Sequence, residues 1–112
     1  MANMHQIGKH KTSIKTVDGL TTVNYISTDV VRFTDNIIML DTGGWNTVTT
    51  RRRMNQASAQ FDLHYRVCSE RGSLWCHYKV GNYDNLYKFE NRRLVLDRKT
   101  GMMITEEQND SL

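Results

Sequence analysis

The chain has 112 residues, 38% of them hydrophobic and 24% charged, with a net charge of +3, which is the composition of one globular domain and not of a disordered chain. No apolar run approaches the ~18 residues of a membrane-spanning helix, and the two cysteines, Cys68 and Cys76, are too few for a disulfide scaffold. The opening residues, Met1 to His5, form no apolar signal region, so the chain is expected to stay in the cytosol.

The charge is unevenly spread. Residues 1–50 are balanced, Lys9, Lys11, Lys15 and Arg32 against Asp18, Asp29, Asp35 and Asp41. Residues 51–99 hold eleven cations and five acids, and the last residues carry only Glu106, Glu107 and Asp110. A basic centre of this kind suits an acidic or polyanionic partner.

Residues 1–11 are polar and aperiodic and are expected to form a flexible arm. From Thr12 the pattern alternates through Ile14 and Val17 to Asp18-Gly19 and on to Leu20, Val23 and Tyr25, a hairpin signature. Val30-Val31-Arg32-Phe33 and Ile37-Ile38-Met39-Leu40 form a second hairpin around Thr34-Asp35-Asn36, and their unbroken apolar runs predict burial on both faces.

Asp41-Thr42-Gly43-Gly44-Trp45 then turns the chain into a helix. Met54, Ala57, Ser58 and Phe61 mark its apolar stripe, with Arg52, Asn55, Gln56 and Ala59 pointing elsewhere. Thr49 or Thr50 is the expected N-cap. Arg51, Arg52 and Arg53 sit in the first turn, where cations oppose the helix dipole by roughly a few tenths of a kcal/mol each. Three of them beside Thr47, Thr49 and Thr50 suggest a seat for a phosphate or another anion. On this reading, replacing all three arginines would spare the fold.

His64 to Glu70 and Ser73 to Val80 form a third hairpin around Arg71-Gly72. Pairing Glu70 with Ser73 gathers Tyr65, Val67, Leu74, Cys76 and Tyr78 on one face, and a one-residue slip would scramble it. The same register puts Cys68 and Cys76 on opposite faces, so they are expected to be free thiols. The other face collects His64, Arg66, Trp75, His77 and Lys79, cations around an aromatic ring, which suits nucleic acid. Leu86 to Phe89 and Leu94 to Leu96 make a last hairpin around Glu90 to Arg93, and residues 100–112 are expected to be a disordered acidic tail. The fold class is therefore α+β, a mostly antiparallel β-sheet built from hairpins with one central α-helix packed on it, in a single domain over residues 12–99.

No nucleotide-binding loop, nucleophile elbow or paired-histidine metal motif is present, and the four histidines are scattered. The expectation is a protein that binds and does not catalyse, without cofactor or metal. The segments Thr28 to Val31, Ile37 to Trp45, Thr47 to Thr50, Arg53 to Gln56 and Tyr65 to Val67 resemble a group of small bacteriophage accessory proteins that share a Gly-Gly-Trp turn, paired threonines and a Met-Asn-Gln helix start. The resemblance implies a phage protein at work in the host bacterial cytoplasm and carries over no catalytic residue. Proteins of that kind commonly block a host or anti-phage defence factor, as anti-CRISPR or anti-restriction proteins do, by binding nucleic acid or a nucleic-acid-binding protein complex. A sponge or sensor for a phosphorylated or cyclic nucleotide, seated between the Gly-Gly-Trp turn and Arg53, is the alternative, and a structural phage part that forms homo-oligomers through sheet edges is a third.

Overall fold

The computed structural model describes residues 7–104. Nine strands and one helix follow the chain: β1 (Thr12–Val17), β2 (Leu20–Tyr25), β3 (Thr28–Phe33), β4 (Ile37–Asp41), α1 (Val48–Phe61), β5 (Tyr65–Glu70), β6 (Ser73–Val80), β7 (Tyr83–Lys88), β8 (Arg93–Asp97) and β9 (Met103–Ile104). All strand pairs are antiparallel. The hairpin-built α+β architecture expected from the sequence is what forms, but its strands divide into two sheets, β1-β2-β3-β4-β8-β9 and β5-β6-β7.

The first three hairpins fall where their turns predict. Asp18 (φ 50) and Gly19 (φ 81) both take the left-handed backbone that a tight hairpin turn needs. In the third hairpin Glu70 pairs with Ser73, Val67 with Cys76 and Tyr65 with Tyr78, and the two cysteines are free, Cys76 buried and Cys68 half-buried. The fourth hairpin is different. β7 begins at Tyr83, after the Gly81-Asn82 turn, and pairs with β6, while β8 crosses to the other sheet beside β4. Only a Glu90–Arg93 bridge marks the expected turn. Leu94 and Leu96 are buried opposite Leu40 and Ile38, so β8 gains more by completing the large sheet's core face than by folding back on β7.

The two-sided burial expected for the second hairpin is also corrected. β4 alternates, with Ile38 and Leu40 buried and Ile37 and Met39 only half-buried. Val30 and Val31 are both buried because the register shifts beside them, opposite Val23 and Asn24, and a bulge turns two successive side chains inward.

The inner faces of both sheets and the helix stripe meet in one core, with Val23, Val31, Ile38, Leu40, Met54, Cys76 and Leu96 at its centre. Phe61 packs against Phe33 with the rings tilted by 52° and their centroids 5.0 Å apart. The helix N-cap is Thr47, not Thr49 or Thr50: its hydroxyl accepts from the Thr50 N–H at 3.2 Å. At the far end Asp62 takes a left-handed conformation and its N–H donates to the Ser58 carbonyl.

Polar side chains stitch the layers together. The Asn55 amide donates to the Val67 carbonyl at 2.9 Å and accepts from the Val67 N–H at 2.7 Å. Ser58 does the same for Tyr65, at 2.7 and 3.0 Å. The helix thus occupies the free edge of β5, which would otherwise invite another strand. In residues 7–11, the described part of the N-terminal arm, Ile7 and Gly8 lie against the helix. Ile7 is buried, its N–H donates to Gln60 at 2.9 Å, and the Gly8 N–H donates to Gln56 at 3.0 Å. Gln56, expected to face away from the stripe, is therefore buried. Of the expected tail, residues 100–104 include β9, which pairs with β8, and residues 105–112 lie outside the described ones.

Candidate functional site

The three arginines of the helix start have three different surroundings. Arg51 donates to the Asn46 side chain at 2.6 Å. Arg52 is half-buried. Arg53 is only 7% exposed; its Nε donates to Thr12 Oγ1 at 3.0 Å, its Nη1 donates to Gln56 Oε1 at 3.1 Å, and its guanidinium lies 5.5 Å from the Tyr25 ring centroid. Gly8 packs so closely that a Cβ there would fall 2.5 Å from Arg53 Nη1. Thr47 and Thr50 share a hydroxyl–hydroxyl bond of 3.0 Å, and Thr49 is half-buried. The arginines do not converge, and most of the polar groups meant to hold an anion are spent on the fold.

The second predicted group does assemble. Side chains alternate across β5, β6 and β7, so the outer face of the small sheet carries rows fixed by register. Arg66 lies opposite His77 and His77 opposite Leu86; Cys68 lies opposite Trp75 and Trp75 opposite Lys88. Lys79 is opposite Asp84. Arg66, Lys79 and Lys88 are exposed, and Trp75 and His77 are half-buried. The Lys88 ammonium stands 5.9 Å from the Trp75 ring centroid, within cation–π range. Glu70 and Asp84 sit at opposite ends of the face, Asp84 beside Lys79, and the rows between hold Arg66, His77 and Leu86 and then Cys68, Trp75 and Lys88. Lys88 joins this face through the β6–β7 pairing, which the hairpin expected around Glu90 to Arg93 does not supply.

A second region draws less signal from sequence. The turn after β4 is held by its own side chains: Asp41 accepts from the Gly43 N–H at 2.7 Å and Thr42 from the Gly44 N–H at 3.2 Å. Gly43 (φ 67) has to be glycine, because a Cβ would lie 2.2 Å from Thr28 Oγ1. Asp41 also binds Arg93 Nε at 3.0 Å and faces Arg92 Nε at 3.6 Å. Trp45 is 71% exposed. It borders an apolar cleft of about 390 Å³ lined by Tyr25, Ile26, Val30 and threonines. Ile26, 60% exposed at the cleft mouth, takes φ 59, a backbone state that costs a β-branched residue on the order of 1–3 kcal/mol. A neighbouring cleft of about 420 Å³ is lined by Arg32, Arg92 and Arg93 with Asp29 and Asp41.

Among the described residues no buried side-chain nitrogen or oxygen lacks a hydrogen-bond partner, no group of three His, Cys, Asp or Glu could hold a metal ion, and no helix is long and apolar enough to cross a membrane. Buried acids behave as structural groups. Burial, with a smaller contribution from the charge of Cys68, pushes the Cys76 thiol up to about 12. Burial, then the charge of Cys76, raises the Tyr65 hydroxyl well above its usual value.

The fold and these surfaces define a small α+β protein with one cluster of cations and an aromatic ring on a sheet face and an exposed tryptophan on a turn. Over residues 1–105 the chain matches the family model described as Kyanoviridae Gp96 protein, and it belongs to that family of bacteriophage proteins. The phage origin drawn from the Gly-Gly-Trp segment agrees with this. No curated protein and no solved structure matches the chain.

Proposed function

We propose that this phage protein is a non-enzymatic binding protein of the host bacterial cytoplasm, and that the outer face of β5-β6-β7 takes single-stranded nucleic acid, free or within a host or defence complex that the protein blocks. One observation carries the reading: the register of the small sheet brings Arg66, Trp75, His77, Lys79 and Lys88 onto a single solvent-facing surface. Phosphates pair with the cations, and a base stacks on the exposed part of the Trp75 ring, a contact worth about 1–3 kcal/mol per base. A sheet face is well suited to this, because its rows are rigid and evenly spaced. The reading for a phosphorylated nucleotide at the helix start has less support, since Arg53 and both threonines of the N-cap are engaged internally.

Binding of a labelled oligothymidylate to wild type and Trp75→Ala tests the proposal. A loss of about 5- to 150-fold, the stacking energy expressed as affinity, is expected with the fold intact by circular dichroism. Equal affinity of the two proteins, or no binding by wild type at low salt, refutes it.

A further inference from the structure

The segment from Asp41 to Gln56 is almost wholly accounted for by the fold. Asp41, Thr42 and Gly43 build the turn, Thr47 caps the helix, Arg51 holds Asn46, and Arg53, Met54, Asn55 and Gln56 are tied into the core and its seams. Trp45 is left over. Its N–H donates to the Thr42 carbonyl at 3.1 Å, but its side chain is 71% exposed beside an apolar cleft, with Ile26 and Val48 each 60% exposed close by in the chain or at the cleft mouth. A tryptophan and a left-handed isoleucine this exposed bury only part of their apolar surface.

The surroundings say what would fill the cleft. Arg92 belongs both to the arginine-lined cleft and to a third one, which also includes Gly44, Asn46, Asn91 and Lys88. Lys88 is the residue that overlies Trp75. A line of groups therefore runs from Trp75 through Lys88 and Arg92 to the Trp45 turn, rings at both ends and cations between. Arg92 and Arg93 meet Asp41 through their Nε atoms and are about half exposed, and a guanidinium presents further N–H groups that suit contact with phosphate oxygens. A partner with flat apolar faces and a charged backbone fits this alternation, and an apolar peptide anchor would leave the cations unused.

We infer that the single-strand track continues from the sheet face across Lys88 and Arg92 and ends with an unpaired base in the Trp45–Ile26 cleft. This rests on the proposed nucleic-acid reading and extends it to a second aromatic contact. The chain has two tryptophans, so Trp45→Phe and Trp75→Phe each leave a single emitter. Quenching is read on both variants and on wild type with oligothymidylates of about 4 and about 16 nucleotides, lengths that bracket the sites of comparable sheet-based binders. Anisotropy of the labelled oligonucleotide reports binding in parallel, and a Trp45→Ala variant is included. The track predicts that the long strand quenches Trp45 as well as Trp75, and that Trp45→Ala weakens the long strand about 5- to 150-fold while the short strand, held at Trp75, loses little. Long-strand binding that quenches Trp75 alone, with Trp45→Ala unchanged, overturns the second contact and leaves the sheet face standing. Absence of any binding by wild type removes both.

Discussion

Arg53 shows how burial converts an expected ligand contact into a structural one, and its removal makes a quantitative test. The guanidinium gives up two charge-assisted hydrogen bonds of 3.0 and 3.1 Å and a cation–ring contact at 5.5 Å. Added naively, at about 1.5–3 kcal/mol per bond and about 0.5–2 for the ring, these reach about 4–8 kcal/mol. Two facts reduce the figure. Burying a charge among neutral partners is itself costly. The partners also keep other bonds when the arginine goes: Gln56 Oε1 still accepts from the Gly8 N–H, and Thr12 Oγ1 still donates to the His10 carbonyl. Arg53→Ala should therefore cost about 1–3 kcal/mol, or roughly 4–12 °C in Tm for a domain of this size. Arg53→Met, which refills the space of the stem, should recover part of that. The double variant Arg51→Ala/Arg52→Ala should stay within about 0.5 kcal/mol of wild type, since both are only half-buried, the Arg51–Asn46 bond is exposed, and both oppose the helix dipole. Urea unfolding with an unchanged m-value is the measurement. If Arg53→Ala unfolds at the wild-type midpoint and the double variant does not, the assignment of roles to the three arginines is wrong.

Asn55→Ala removes both bonds to the buried Val67 backbone and should cost about 2–4 kcal/mol, whereas Asn24→Ala, whose 3.0 Å bond to Asp29 is exposed, should cost under about 0.5 in the same unfolding assay. With Ellman-type reagents at mildly alkaline pH, Cys68 should react in the native protein and Cys76 only on unfolding; labelling of both at one rate would contradict the burial of Cys76. Because the folded Cys76 thiol and the Tyr65 and Tyr78 hydroxyls titrate above their unfolded values, their neutral forms support the fold fully below about pH 9. Stability should then fall as pH rises from about 9 toward 12, and a flat profile across that window would count against the buried assignments.

Much of the architecture could be read from local pattern. Asp18-Gly19 and Arg71-Gly72 announce their hairpins because the turn backbone needs residues that tolerate positive φ, and face-by-face apolar matching fixes the β5–β6 register. The same matching places Arg66, Trp75, His77 and Lys79 on one face. What pattern could not supply were partners distant in the chain. Arg53 meets Thr12, Gln56 meets Gly8, and β8 meets β4, and none of these leaves a periodicity. Arg53 reads as an anion ligand and Gln56 as an outward residue because their burial depends on an N-terminal segment without regular structure. Leu86 to Leu96 resembled a hairpin because both halves are apolar, although they serve different sheets. Trp45 looked like part of a turn, and its exposure is visible only once the threonines around it have been assigned.

The salt dependence of single-strand binding bears most directly on the sheet-face surface. With Arg66, Lys79 and Lys88 displacing counterions, log affinity should fall against log salt with a slope of about −2, roughly a 20-fold loss between 50 and 200 mM, and more steeply if Arg92 and Arg93 take part. An affinity that stays level with salt would mean that these cations meet no phosphate, and the proposed interface would have to be abandoned.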